Sequence, residues 1–132
     1  MGKHNVSRVK ELPASVFYEL WHNAGKYESK QLYIHEYTSI FSSHYINSIK
    51  YDIDPDVFYE LLSLIYKMYH YTIKDLIQFS GLTRAAFGYK YCIPIRTLED
   101  WVKKDASPDY VRLLIIKEEK LFRLPKYIHI KI

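Results

Sequence analysis

The chain has 132 residues, 48% hydrophobic and 26% charged, a balance that excludes a disordered, collagen-like or membrane-spanning polypeptide and suits one compact domain or two small helical modules. The net charge of +4 is unevenly spread: residues 1–70 hold 7 basic and 8 acidic side chains, a net −1, and residues 71–132 hold 12 and 7, a net +5, which turns the second half toward a polyanion. Cys92 is the single cysteine, so an internal disulfide and a thiolate zinc site are both excluded. In chain order, Gly2 to Asn5 are polar and expected to be loose. A first helix is predicted over residues 13–22, where Val16, Phe17, Leu20 and Trp21 recur at helical spacing behind Pro13. Asn23-Ala24-Gly25 should end it, Gly and Asn accepting the left-handed conformation. A second helix is predicted over 29–45, with Tyr33, Tyr37, Ile40, Phe41 and Tyr45 on one face. The β-branched and aromatic residues over 32–37 also suit a strand. Asp54-Pro55-Asp56 starts a third helix with a capping carboxylate, a first-turn Pro and a charge that complements the helix dipole. Its apolar face runs through Val57, Phe58, Leu61, Leu62, Ile65 and Met68, and it should end near Tyr69–Tyr71.

The second half is more sharply punctuated. Thr72-Ile73-Lys74-Asp75 reads as a capping box with Asp in place of Glu. Ile73, Leu76 and Ile77 should face inward, and Gly81 should terminate that helix. Thr83 caps a short helix over 84–91, a turn follows at Cys92-Ile93, and Pro94 opens a helix to about Lys104. After the loop Asp105-Ala106-Ser107, Ser107-Pro108-Asp109 supplies a cap and first-turn Pro for a last helix to about Phe122. The tail from Tyr127 to Ile132 alternates apolar and polar residues like a short strand. Such a strand needs a partner, so it either pairs with its counterpart in a dimer or packs as an extended arm. The fold class expected is all-α: a helix-turn-helix bundle with additional N-terminal helices and a short C-terminal strand or arm. The division expected is a helical region over 1–70, for dimerisation or partner binding, and a helix-turn-helix region with tail over 71–132.

The informative stretch runs from Leu82 to Trp101. Two short helices joined by about three residues have the geometry of a helix-turn-helix. Phe87, Ile93, Leu98 and Trp101 can meet in one small core, and Gly88 lets the two helices approach closely. Ile95, Arg96, Thr97 and Asp100 are left on the outer face of the second helix, where base-reading residues sit when such a helix enters a major groove.

On Leu82-Thr83-Arg84, Phe87, Ile93-Pro94, Arg96-Thr97-Leu98 and Trp101, followed by Ser107-Pro108-Asp109-Tyr110-Val111, the chain resembles the Cro/phage-repressor type (XRE-like) of helix-turn-helix regulator, and small bacterial or mobile-element members in particular. The resemblance covers about residues 73–115 and leaves 1–70 untouched. It implies a DNA-binding protein in which Thr83 and Arg84 contact phosphate, helped by backbone N–H groups at that helix start. Ile95, Arg96 and Thr97 would face base edges, with Arg96 reading guanine bidentately and Ile95 or the Thr97 methyl touching a thymine methyl. Lys103 and Lys104 would hold phosphates. Gly88 departs from the usual Ala, which is harmless to packing and costs about 1 kcal/mol of helix propensity. Cys92 stands where Gly is frequent, which predicts a strained or differently shaped turn. Glu99, Asp100 and Asp105 bring negative charge beside the DNA face; a carboxylate can accept from cytosine but otherwise repels phosphate.

The function expected is that of a sequence-specific double-stranded DNA-binding protein, a small transcriptional repressor or autoregulator acting as a homodimer. The alternative is a protein-binding inhibitor or adaptor, such as an antitoxin or a phage or mobile-element counter-defence protein, using residues 1–70 for its partner. No enzymatic role is assigned: the chain has no Gly-x-Ser-x-Gly elbow and no Gly-rich phosphate loop, with 4 Gly in all. Asp54/Asp56 and Glu118/Glu119 are explained by capping and solvation. The six His residues, at 4, 22, 35, 44, 70 and 129, show no metal-ligand spacing, so neither metal nor cofactor is expected. The 14 Tyr residues either fill cores or serve an interface. The segment after Met1 is polar and lacks the apolar run of a secretory leader, and a soluble cytoplasmic protein with no membrane association is expected.

Overall fold

A computed structural model describes residues 10–38, 54–122, 124–125 and 128–131. The fold is all-α, with one two-stranded parallel pairing of short strands. Two compact units are present: one takes in Met1–Tyr69 with Arg123–Ile132, the other His70–Phe122.

In the first unit, β1 (Lys10–Pro13) leads into α1 (Ala14–Ala24), followed by α2 (Lys30–Thr38) and α3 (Pro55–Tyr69). Both α1 and α2 pack on α3. Val16, Phe17, Leu20 and Trp21 meet Tyr33, Ile34 and Tyr37 and the α3 row Phe58, Leu61, Leu62, Ile65 and Met68, all buried. Removing each such side chain from water stabilises the fold by about 1.5–3 kcal/mol. The buried tyrosines are core residues whose hydroxyls find partners. Tyr33 Oη donates to the Leu20 carbonyl at 2.7 Å, Tyr66 Oη donates to the Tyr27 carbonyl at 3.1 Å, and Asn23 Nδ2 donates to Tyr37 Oη. Burial raises the Tyr33 hydroxyl above its ordinary pKa and pushes Tyr37 up to about 12. Residues 32–37 are helical, so packing against α3 overrides their strand preference. The expected continuation of that helix through Ile40, Phe41 and Tyr45 lies outside the described residues, as do Gly2 to Asn5.

Two expectations are corrected here. Gly25 is right-handed, with φ −78°, so it does not end α1 by a left-handed turn. Its small size serves contact instead, because a Cβ there would collide with the Tyr69 ring, which stacks edge-on to Trp21. The tail also has a partner within its own chain. β2 (Ile128–Lys131) pairs in parallel with β1, Lys10 opposite Ile128 and Pro13 opposite Lys131. It therefore belongs to the first unit, not to the helix-turn-helix region, and it takes positive charge with it. Residues 70–122 hold 9 basic and 7 acidic side chains, a net +2, rather than the +5 of residues 71–132.

The second unit contains α4 (Ile73–Ser80), α5 (Arg84–Lys90), α6 (Ile95–Lys104) and α7 (Asp109–Glu118). α4 packs on α5, α6 and α7, burying Ile73, Leu76, Ile77, Phe87, Leu98, Ile115 and Ile116. The capping box is complete: Asp75 N donates to Thr72 Oγ1 at 3.1 Å and Thr72 N donates to Asp75 Oδ2 at 2.9 Å. Gly81 closes α4 at φ +73°, a left-handed position that favours glycine. Ser107 does not cap α7. Pro108 holds that position, while the Ser107 carbonyl and hydroxyl accept from Arg112 Nη1 at 2.6 and 3.1 Å. α7 also stops at Glu118, short of the predicted Phe122, because Lys120 turns left-handed at φ +56°. That turn sends the Leu121 N–H back to the Ile116 carbonyl at 2.9 Å and buries Leu121.

Candidate nucleic-acid interface

The helix-turn-helix is built from its turn outward. Thr83 caps α5, its Oγ1 accepting from Ala86 N at 3.1 Å. α5 then buries Phe87 against α6, where Leu98 is fully buried and Trp101 half-buried. Residues 91–94 form the connection. Cys92 is left-handed, with φ +56°, a conformation that costs an L-residue roughly 1–2 kcal/mol and glycine little. The Ile93 N–H then returns to the Gly88 carbonyl at 2.8 Å. Pro94, extended at φ −55° and ψ 139°, opens α6 by accepting from Leu98 N at 3.0 Å. Gly88 is required by this geometry. A Cβ on it would sit 2.8 Å from the Ile93 carbonyl oxygen and 3.6 Å from Leu98 Cδ2. An Ala here would crowd a backbone oxygen of the turn: the sequence locates Gly88 in the helix contact but not the atom it makes room for.

The far end of α5 is braced by a carboxylate. Lys90 Nζ donates to Glu119 Oε2 at 2.7 Å, and Tyr91 Oη donates to the same oxygen. The Glu119 side chain is 13% exposed, and the Lys90 and Tyr91 donors hold its carboxyl below the ordinary value of 4.5. A depressed carboxyl stabilises the fold above its unfolded pKa and loses that contribution as pH falls through its folded pKa. The bracing is therefore complete at neutral pH and fades progressively below pH 4.5. Glu119→Gln is expected to cost about 1–2 kcal/mol at pH 7 and progressively less as the pH falls below 4.5. Urea titration of both proteins over a descending pH series checks this, and a deficit that stays constant throughout would reject the charged brace.

α6 carries the predicted base readers. At about 3.6 residues per turn, Arg96, Asp100 and Lys103 fall in one row opposite Leu98 and Trp101. All three are exposed. Ile95, 45% exposed, and Glu99 flank the row on one side. The half-buried Thr97 and the exposed Lys104 flank it on the other, so Thr97 is the least accessible of the predicted readers. Thr83 and Arg84 are exposed at the start of α5, with the Thr83 hydroxyl engaged in its cap. Among the described residues no hydrogen bond or ion pair engages Arg84, Arg96 or Lys103. Lys104 differs: its Nζ lies 3.2 Å from Asp100 Oδ1.

A second feature escaped the sequence reading. Ala85, Gly88, Tyr89, Cys92, Ile93, Pro94 and Ile95 line a shallow apolar groove beside the turn. Tyr89 stands 90% exposed on its wall. The signal was readable, because Ala85, Tyr89 and Cys92 repeat at i, i+4 and i+7, off the row that carries Phe87.

Among the described residues, no group of three His, Cys, Asp or Glu side chains is arranged to hold a metal ion, and no helix is long and apolar enough to cross a membrane. The chain matches no protein-family model, no curated protein and no solved structure.

Proposed function

We propose that the His70–Phe122 unit binds double-stranded DNA with α6 in the major groove. On this reading the protein is a small cytoplasmic transcriptional regulator of the phage-repressor type, of bacterial or mobile-element origin, acting as a homodimer. One observation carries the proposal: the outward row Arg96, Asp100 and Lys103 stands on a ten-residue helix whose opposite face is locked onto α5. A helix held by its apolar side and free on its polar side can enter a groove about 12 Å wide. Arg84, Arg96 and Lys103, which have no ion-pair partner among the described residues, supply counterion release, and Arg96 supplies bidentate recognition of guanine. The reading calls for a dimer, because one short helix binds weakly, while two recognition helices one turn of DNA apart read a palindrome. Residues 1–70 are the proposed dimer or partner surface.

Fluorescence anisotropy tests the proposal, using DNA from upstream of the gene against a scrambled duplex over a salt series. Wild type should prefer the upstream DNA, and Arg96→Ala should remove about 1–3 kcal/mol of that preference. Equal, salt-abolished binding of both duplexes by both proteins would reject specific recognition. The apolar groove with its exposed Tyr89 favours a second reading, protein binding by an inhibitor or adaptor such as an antitoxin or counter-defence protein. In that case Tyr89→Ala, and not Arg96→Ala, would abolish capture of the partner.

A further inference from the structure

We propose that Asp100 reads a cytosine and that Lys104 is the positioning residue that holds it for this task, making no contact with phosphate. The inference rests on α6 entering the major groove. Three cations stand on the outer surface of α6, and Arg96 and Lys103 have no ion-pair partner among the described residues. Lys104 is tied one turn back to Asp100, Nζ to Oδ1 at 3.2 Å. An ammonium committed to a carboxylate on its own helix is poorly placed to reach a phosphate as well. A carboxylate in the central row would by itself be repelled by DNA. Lys104 cancels that charge and fixes Asp100 through one oxygen, leaving Oδ2 free. The pair is open to a ligand, the two side chains being 51% and 65% exposed.

The free oxygen is an acceptor only. In the major groove it can accept a hydrogen bond from the N4 amino group of cytosine or the N6 amino group of adenine, but adenine sets its N7 acceptor beside N6, facing the carboxylate with a second lone pair. Cytosine therefore fits. Asp100 lies ~6 Å along the helix from Arg96, which places its base about one or two steps from the guanine read by Arg96. Glu99 is also a carboxylate, but it lies on the flank beside Ile95 and no cation among the described residues holds it.

The test is selection from a random duplex library by the full-length protein, followed by binding of the enriched duplex across a salt series. Wild type should enrich a guanine with a cytosine one or two base pairs away. Asp100→Asn should change that cytosine to adenine, which an amide reads bidentately. Lys104→Gln should weaken the cytosine preference about ten-fold, keep the guanine, and leave the slope of log K against log salt unchanged. Glu99→Gln should alter neither base. If Lys104 instead clamps a phosphate, its loss lowers that slope by about 0.9 and keeps every base preference. That outcome, or an unchanged cytosine in Asp100→Asn, overturns this inference alone. A wild type that enriches no sequence overturns the DNA-binding reading beneath it.

Discussion

Phe87→Ala is expected to destabilise the His70–Phe122 unit by about 3–5 kcal/mol, the usual cost of removing a fully buried aromatic ring. Phe87 has no exposed surface and is the one large ring that α5 buries against α6. Its ring also packs 4.8 Å from that of Tyr91, whose hydroxyl reaches Glu119. The loss therefore spreads from the helix contact to the brace at the end of α7. A unit of this size holds only about 3–5 kcal/mol in total, so the substitution should leave it largely unfolded at 37 °C. The two tryptophans make the result readable by NMR, since Trp21 lies in the first unit and Trp101 in the second. The Trp101 indole resonance should move to its random-coil position. An unshifted Trp101 resonance with a melting temperature within about 2 °C of wild type would show that Phe87 does not hold the two helices together.

Gly88→Val is expected to cost about 3 kcal/mol, with Gly88→Ala nearer 1 kcal/mol. The added Cβ meets the Ile93 carbonyl oxygen at 2.8 Å. That oxygen cannot swing away freely, because the Ile93 N–H is bonded to Gly88's own carbonyl at 2.8 Å. The turn is thus closed from both sides. Ala recovers about 1 kcal/mol of helix propensity against the strain, whereas Val adds two methyl groups and a β-branched penalty. Thermal denaturation of the two variants should rank wild type, Ala, Val. A stability for Val equal to that of wild type would mean that the turn has another conformation of similar energy.

Much of the second unit was legible because its signals are local. Thr72 with Asp75, Gly81, Thr83 and Pro94 each satisfy or remove backbone groups within a few residues, so element starts and stops follow from side-chain chemistry at fixed offsets. The outward row of α6 was legible for the same reason, since helical periodicity alone separates Leu98 and Trp101 from Arg96 and Asp100. The early stop of α7 was not, because no Gly marks Lys120; burial of Leu121 against the rest of the unit sets the left-handed turn.

The all-α class, the helix-turn-helix with its capping signals, and the outward face of α6 were written in the residues, because backbone capping and a period of about 3.6 residues operate over short distances. The remaining features came from contacts between distant parts of the chain. The tail pairs with Lys10–Pro13 and carries its positive charge into the first unit. Gly25 is small to admit the Tyr69 ring. Lys90 and Tyr91 converge on Glu119. Each depends on which distant atoms fill the space around a residue, and packing at that range leaves no fixed spacing in the chain.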